Sequence, residues 1–106
     1  MVIPFLKVPS IVIAYLKEPR ARYWGMLRSL DATGIVMQGI DLDSFDEWVR
    51  QVADGQDAPQ LSTAFFPLLR VEKLLLDAPS GPIPALHEHF RRRVGRSLEE
   101  FLGLGA

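Results

Sequence analysis

Three runs rich in β-branched and aromatic residues dominate the first half of the chain. They are Ile11–Lys17, Tyr23–Leu30 and Ile35–Leu42, and this density is typical of strands. The turn Asp31–Gly34 separates the second run from the third, because Asp accepts local backbone hydrogen bonds and Gly tolerates positive φ. Each of these two runs also contains an internal glycine, which predicts the strong bending of a small barrel.

The pattern changes to a helical one after the third run. Ser44 and Glu47 have the spacing of a capping box, and Gly55 supplies a helix end. Between them the apolar residues recur on one helix face, which predicts a helix over 44–55. This apolar face consists of Phe45, Trp48, Val49 and Val52.

The most apolar stretch is Leu61–Asp77. Because Pro67 cannot donate to a continuous ladder, we predict two short strands that separate at this proline. Further on, Pro84 suits the first turn of a helix that ends at Gly95. A short last helix is predicted to begin at Ser97, which has a capping acid three residues on.

These elements predict a mainly β fold with added helices. It is a five-stranded small barrel with a helix inserted between strands 3 and 4 and a helical C-terminal tail. We expect a single domain over 1–106. Residues 1–10 form an N-terminal arm, 11–77 form the barrel with its helical insertion at 44–55, and 78–106 form the tail.

Composition narrows the class of protein. A hydrophobic content of 48% with 24% charged residues excludes a disordered chain. The formal net charge of -1 argues against an overall basic footprint for nucleic acid, and the lack of cysteine excludes disulfides and thiolate metal sites. Pro4, Lys7 and Pro9 interrupt the apolar start of the chain, so we expect neither a signal peptide nor a membrane span, and a cytoplasmic location.

The segment Gly25–Asp31 resembles the first signature of the Sm-like family, five-stranded barrels that form rings on RNA. The matching positions are Gly25, Leu27 and Asp31. The segment Phe65–Leu74 resembles the second signature, in which a one-turn kink joins two strands. The resemblance implies an Sm-like (SH3-like) barrel, a cyclic homo-oligomer and RNA as a ligand.

Two departures from the family pattern weaken the RNA expectation. The third-strand turn of the family carries an aromatic or His for base stacking, and here it contains Ala32 and Thr33. The second signature usually brings Arg-Gly or Lys-His to the central pore, and here Leu68 and Leu69 take that place. Base stacking contributes about 1–3 kcal/mol per base in single-strand binding, so the usual contribution is missing at the expected site.

Basic residues remain the candidates for contacts with nucleic acid or a partner. They are Arg70, Lys73, Arg91, Arg92 and Arg93. The three consecutive arginines, with Arg96, lie near the end of a predicted helix, where dipole complementarity and solubility explain them. Two other interpretations stay open, namely contact with phosphate and pairing with the acidic segment 41–57 of a neighbouring copy.

No local signature of an enzyme, cofactor site or metal site is present, so we expect a non-enzymatic protein with no cofactor and no metal. His87 and His89 point to different sides of a helix and are interpreted as surface residues. The acids of the helix start lack the glycine and terminal glutamate of a calcium loop, and the helix dipole explains them. These acids are Asp41, Asp43, Asp46 and Glu47.

The surplus of apolar residues in the last two strands predicts self-association. Unpaired apolar edges are aggregation hazards unless covered, and pairing strand 4 of one copy with strand 5 of the next closes into a ring. The predicted oligomer edge consists of Phe65, Phe66, Leu68, Leu69, Leu74 and Leu76. The sequence therefore predicts an oligomeric Sm-like binding or scaffold module. The alternatives are a protein-interaction or structural homo-oligomer with no nucleic-acid role, and a small enzyme with its site at a subunit interface.

Overall fold

The computed structural model of the protein describes residues 7–104, so residues 1–6 of the predicted arm lie outside the described residues. Five strands and three helices of more than three residues follow one another along this part of the chain. They are β1 Ser10–Leu16, β2 Ala21–Leu30, β3 Gly34–Asp41, α1 Phe45–Ala53, β4 Ser62–Pro67, β5 Val71–Leu76, α2 Leu86–Val94 and α3 Leu98–Phe101. Two 3-10 turns, Leu42–Ser44 and Leu68–Arg70, precede α1 and β5.

The strands form one antiparallel sheet in the order β4-β3-β2-β1-β5. The predicted split at Pro67 is confirmed, since β4 ends there and β5 begins after a single 3-10 turn. These two strands follow one another in the chain but lie at opposite edges of the sheet. No ladder joins them within residues 7–104, so the sheet is not closed.

Close contact between backbones bends the sheet in the middle of β2 and β3. Gly25 lies directly opposite Gly39 in the register of these strands. A Cβ built on Gly25 would fall on the carbonyl oxygen of Gln38, and one built on Gly39 would fall on the carbonyl oxygen of Trp24. The absence of side chains at both positions is therefore what allows the strands to approach here.

Two bulges add local twist to the sheet. Arg28 is an extra residue in β2 opposite β3, and Glu72 is an extra residue in β5 opposite β1. A bulge bends its strand and increases the right-handed twist. The bent centre and the two bulges together explain why this short sheet can wrap one face around a core.

By backbone contacts the chain divides into two compact units. The first contains the five strands and encloses a core in which all side chains are buried. That core consists of Val12, Ala14, Leu16, Leu27, Ile35 and Met37. Tyr23 packs against it and donates its hydroxyl hydrogen to the carbonyl of Gly39 at 3.0 Å, while the neighbouring Trp24 packs edge-on against Phe45 at 4.8 Å between ring centroids.

The second unit contains residues 46–59 and the chain from Asp77 onward. Three aromatic rings form its centre: Trp48 stacks on Phe90 at 5.3 Å, and Phe101 packs edge-on against both. Gly95 ends α2 with a φ of 92°, and Ser97 with Glu100 forms the predicted capping box of α3. Packing of the aromatic rings explains how helices this short can persist, because short helices are marginal on their own.

Helix bounds differ slightly from the sequence prediction. The inserted helix occupies Phe45–Ala53 rather than 44–55, because Asp41 accepts from the backbone N–H of Asp43 at 2.9 Å and starts a separate 3-10 turn. The next helix begins at Leu86, two residues after Pro84. None of the helices in the described part of the chain has the length and apolar character needed to span a membrane. The single-domain organisation stays a prediction.

Candidate functional site

The two edge strands expose large apolar side chains that no described residue covers. On the β4 side Phe65 is 53% exposed, and in the following turn Leu69 is 88% exposed. At the opposite edge Leu75 and Leu76 in β5 are exposed by about two fifths. Exposed edge strands present unpaired backbone groups along with these side chains. Both edges are therefore suited to pairing with another strand.

The structure separates the six residues of the predicted oligomer edge into two groups. Phe65, Leu68, Leu69 and Leu76 are exposed. By contrast, Phe66 and Leu74 pack against the core of the sheet. Successive side chains of a strand point to opposite faces, so Phe66 cannot share the exposed face of Phe65.

The family-signature positions have structural roles in β2 and its turn. Gly25 permits the close approach of β3, and Leu27 is fully buried in the core. Asp31 accepts hydrogen bonds from the backbone N–H groups of Thr33 at 2.8 Å and Gly34 at 3.3 Å, and also from the hydroxyl of Thr33. The Thr33 hydroxyl, followed by these two backbone donors, lowers the pKa of Asp31 from its ordinary value.

This turn meets the 3-10 turn between the two edge strands. The backbone N–H of Leu68 donates to the carbonyl of Thr33 at 3.0 Å. The side chains at this meeting point come from Ala32, Thr33 and Leu69, all exposed. The two turns themselves carry no ring for base stacking. The half-exposed ring of Phe65 in β4 lies beside them, with two ring atoms 2.9 Å from the position that a Cβ on Gly34 would take.

Arg70, predicted as a contact for nucleic acid or a partner, is engaged within the sheet unit. Its guanidinium donates to the carbonyls of Lys17 at 3.1 Å and Pro19 at 3.0 Å, and lies 6.0 Å from the ring centroid of Phe66. The residue therefore holds the turn between β1 and β2 in place. Sequence reasoning missed this role because the partners are more than fifty residues away.

Lys73 lies in a row of residues across three neighbouring strands. Tyr15 is opposite Arg22 in β2 and opposite Lys73 in β5, and the Lys73 ammonium lies 4.6 Å from the centroid of the Tyr15 ring. This row borders an open groove of about 400 Å³. Acidic Asp43 and Glu72 line the same groove, and Asp43 pairs with Arg22 at 3.3 Å, so its charges are mixed.

The three consecutive arginines lie on the last turn of α2 and are exposed. Cations near a helix C-terminus interact favourably with the helix dipole. Arg91 and Arg92, together with His87 and Glu88, line an open groove of about 470 Å³, whereas Arg93 does not. The structure thus distinguishes arginines that the sequence presents as equivalent.

His87, interpreted as a surface residue, is paired with a carboxylate that the sequence did not single out. Its ring Nδ1 lies 3.0 Å from Asp77 Oδ2, and the Asp77 side chain is only 2% exposed. No local signature links two residues ten positions apart across a Pro-rich linker, so only the folded chain reveals this pair.

Three of the four acids at the start of the inserted helix have identified partners. Asp41 caps the 3-10 turn and Asp43 pairs with Arg22, while Glu47 pairs with Arg50, which also contacts Asp54. The bond to Arg50 lowers the pKa of Glu47. Within residues 7–104, no three His, Asp or Glu side chains converge as a metal site would require.

No protein-family model, curated protein or solved structure matches the chain.

Proposed function

We propose that this protein is a non-enzymatic, self-associating module of the Sm-like type, in which the β4 edge of one copy pairs with the β5 edge of the next. The observation that carries the proposal concerns the two edges of the open sheet. Within residues 7–104 no strand pairs with either edge, and both edges display exposed large apolar side chains, Phe65 on one edge and Leu75 and Leu76 on the other.

The strand order supports this proposal. A single 3-10 turn connects two strands that lie at opposite edges of the sheet, so the sheet must be strongly bent. The close contact of Gly25 with β3 and the bulge at Arg28 are the features that bend it. The same order and bend are what an Sm-like barrel requires.

Energetics favour covering the edges. Burial of one large apolar side chain contributes about 1.5–3 kcal/mol, and pairing also satisfies the open backbone groups of the edge strand. Because the two edges differ, their contact is head-to-tail, and repetition of such a contact closes into a ring when the rotation permits. The module would then act as a scaffold or as a platform for a further ligand.

RNA as the ligand rests on the family resemblance alone. The two turns that meet at Leu68 and Thr33 carry no aromatic side chain, and Arg70 is engaged by backbone carbonyls. These observations favour the alternative within the same assembly, a homo-oligomer that interacts with proteins and has no nucleic-acid role.

Light scattering after size exclusion, at micromolar concentration, tests the assembly. Phe65→Glu and Leu76→Glu each place a charge on one edge and should each reduce the mass to that of a monomer. Ile83→Glu is the matched control, because Ile83 is also an exposed apolar residue, at 66%, but lies outside both edge strands. A monomeric wild-type protein would contradict the proposal.

Mixing the two edge variants tests the head-to-tail arrangement. Phe65→Glu retains an intact β5 edge and Leu76→Glu retains an intact β4 edge, so an equimolar mixture should form a heterodimer. If the contact instead joined identical edges, one variant alone would remain oligomeric and the mixture would yield no new species.

Titration with oligo-U and oligo-A at two salt concentrations distinguishes an RNA ligand from a protein partner. Binding that weakens steeply with salt would indicate phosphate contacts and favour the RNA role. Absence of binding at low salt would leave the protein-interaction role.

A further inference from the structure

Asp77 organises the start of α2 from outside the helix. Its Oδ1 accepts from the backbone N–H of Leu86 at 2.8 Å, and its Oδ2 accepts from the backbone N–H of His87 at 2.7 Å. These are donors of the first helical turn, which have no partner within the helix. Since Ala85 at the N-cap position has no side-chain acceptor, Asp77 supplies the missing cap.

The same carboxylate orients the ring of His87. Oδ2 lies 3.0 Å from Nδ1, and both Asp77 oxygens already act as acceptors for backbone N–H groups, so we assign the ring hydrogen to Nδ1. The other nitrogen, Nε2, is left for an external partner. The His87 side chain is 38% exposed, so that partner can come from solvent.

Two arginines and one glutamate line the groove beside this ring. Arg91 lies one helical turn after His87, on the same face of α2, and Arg92 follows it; both line the groove of about 470 Å³. Neither arginine forms an ion pair with any residue in the described range 7–104. Glu88 also lines the groove, but its Oε1 accepts from the backbone N–H of Ala85 at 3.2 Å.

We propose that this groove binds a terminal phosphate group, as in inorganic phosphate or a phosphate monoester. The guanidinium groups of Arg91 and Arg92 donate to its oxygens, for which the planar fork of arginine is well suited. Nε2 of His87 accepts the proton of a hydrogen phosphate, or donates to an oxygen when the ring is protonated. Asp77 is a positioning residue, which acts through His87.

This site is independent of self-association, since all of its residues lie outside β4 and β5. A terminal phosphate is favoured over a phosphodiester because, with the ring neutral, only a terminal phosphate can present a proton to Nε2 and still keep two unprotonated oxygens for the arginines. Failure of the phosphate test would therefore leave the proposed edge pairing untouched.

Nitrogen-15 NMR of the histidine rings in the full chain, titrated with inorganic phosphate at constant ionic strength, provides the test. We expect a saturable shift of the His87 ring signals that a matched chloride titration does not produce. Arg91→Gln should weaken binding about tenfold, as expected from the loss of one charge-assisted hydrogen bond. Equal shifts with chloride would overturn the proposal.

Arg93→Gln is the matched control, because it removes the same charge from the same helix at a position that does not line the groove. Phosphate affinity should change less than about twofold, as expected for a screened charge. If Arg93→Gln weakened phosphate binding as much as Arg91→Gln, the overall positive charge of the helix would account for the binding, and the proposed site would be refuted.

Asp77→Asn tests the positioning role. Asparagine keeps one acceptor for the cap, so α2 should survive, which circular dichroism would verify. Ring nitrogen shifts report the tautomer of His87 directly, and we expect a mixed tautomer and weaker phosphate binding in this variant. An unchanged tautomer with unchanged affinity would show that Asp77 is only a cap and would remove it from the proposal.

Two further ligands distinguish the source of the phosphate. Uridine 5′-monophosphate should shift the same ring signals and compete with inorganic phosphate. Oligo-U without a terminal phosphate should not compete. If the oligonucleotide bound as tightly per phosphate as the monophosphate, the site would be a backbone contact and the terminal-phosphate proposal would be wrong.

Discussion

At the scale of single residues, the contact between Gly25 and Gly39 decides the shape of the sheet. Each glycine lies where a Cβ would meet the backbone of the opposite strand rather than a movable side chain. Backbone cannot move aside without breaking the ladder on both sides of the pair. The sequence showed the glycines, but not that they face each other.

Gly25→Ala should therefore lower the free energy of unfolding by about 3 kcal/mol or more, since overpacking against rigid neighbours is at the costly end of single substitutions. Gly55→Ala is the control: nothing lies within 4 Å of its Cβ position and its φ is +70°, so only the left-handed penalty of about 1–2 kcal/mol applies. Urea denaturation measures both variants. Equal losses would show that β2 and β3 do not approach as described.

Thr33→Val should raise the pKa of the Asp31 carboxyl toward its ordinary value of 3.8, because the Thr33 hydroxyl is the largest cause of the depression. The pKa of Asp31 is lower in the folded protein than in the unfolded one. The turn therefore stabilises the fold above the ordinary pKa, and this contribution is lost as pH falls through the folded-state value. Carbon-13 NMR titration measures the carboxyl, with Thr63→Val in β4 as a control that leaves it unchanged.

At the scale of elements, the turn between β1 and β2 depends on a distant residue. Arg70 closes the 3-10 turn before β5 and donates to two carbonyls of the β1–β2 connection. The backbone N–H of Lys17 in turn donates to the carbonyl of Arg70 at 2.9 Å. This reciprocal contact joins the end of the sheet where β1 and β5 pair.

Arg70→Ala should lower the free energy of unfolding by about 1–3 kcal/mol, the range expected for loss of hydrogen bonds from a charged group. Lys73→Ala removes a nearby cation whose contact is with the Tyr15 ring, and should cost about 0.5–1 kcal/mol. Thermal and urea denaturation compare the two. A larger loss for Lys73→Ala would contradict the structural role of Arg70.

At the scale of the whole molecule, the sheet has a buried apolar core, and its two edge strands carry apolar side chains that remain exposed. In the described residues every buried side-chain nitrogen and oxygen has a hydrogen-bond partner. The groups that would gain from a further contact are therefore the open backbone groups and exposed apolar side chains of the edge strands. Phe65 and Leu76 are the exposed apolar side chains that lie on the edge strands themselves, and Leu69 is in the turn that joins these strands.

Self-association through these edges should make the melting temperature depend on protein concentration. Each tenfold increase in concentration adds about 1 kcal/mol per subunit of an assembly, which corresponds to several degrees for a chain of this size. Differential scanning calorimetry over a hundredfold range measures the effect. Phe65→Glu should abolish the dependence and Ile83→Glu should retain it; a constant melting temperature in the wild-type protein would contradict edge pairing.

The sequence by itself determined the elements, because their signals are local. Three of these signals depend only on residues within a few positions, and the structure contains all three features. Asp31 accepts hydrogen bonds in its turn, β4 ends at Pro67, and Ser97 forms the capping box of α3. The mainly β class with added helices followed from the same signals. The Sm-like resemblance also rests on short local patterns, and the ring assembly that it implies stays a prediction.

Only the tertiary structure decided which side chains meet. Strand order, the inward packing of Phe66 and Leu74, the engagement of Arg70 and the pairing of Asp77 with His87 all join residues that are distant in the chain or depend on the face of a strand. No local pattern encodes such contacts, because they form only once the chain packs and each polar group that loses water must find a partner.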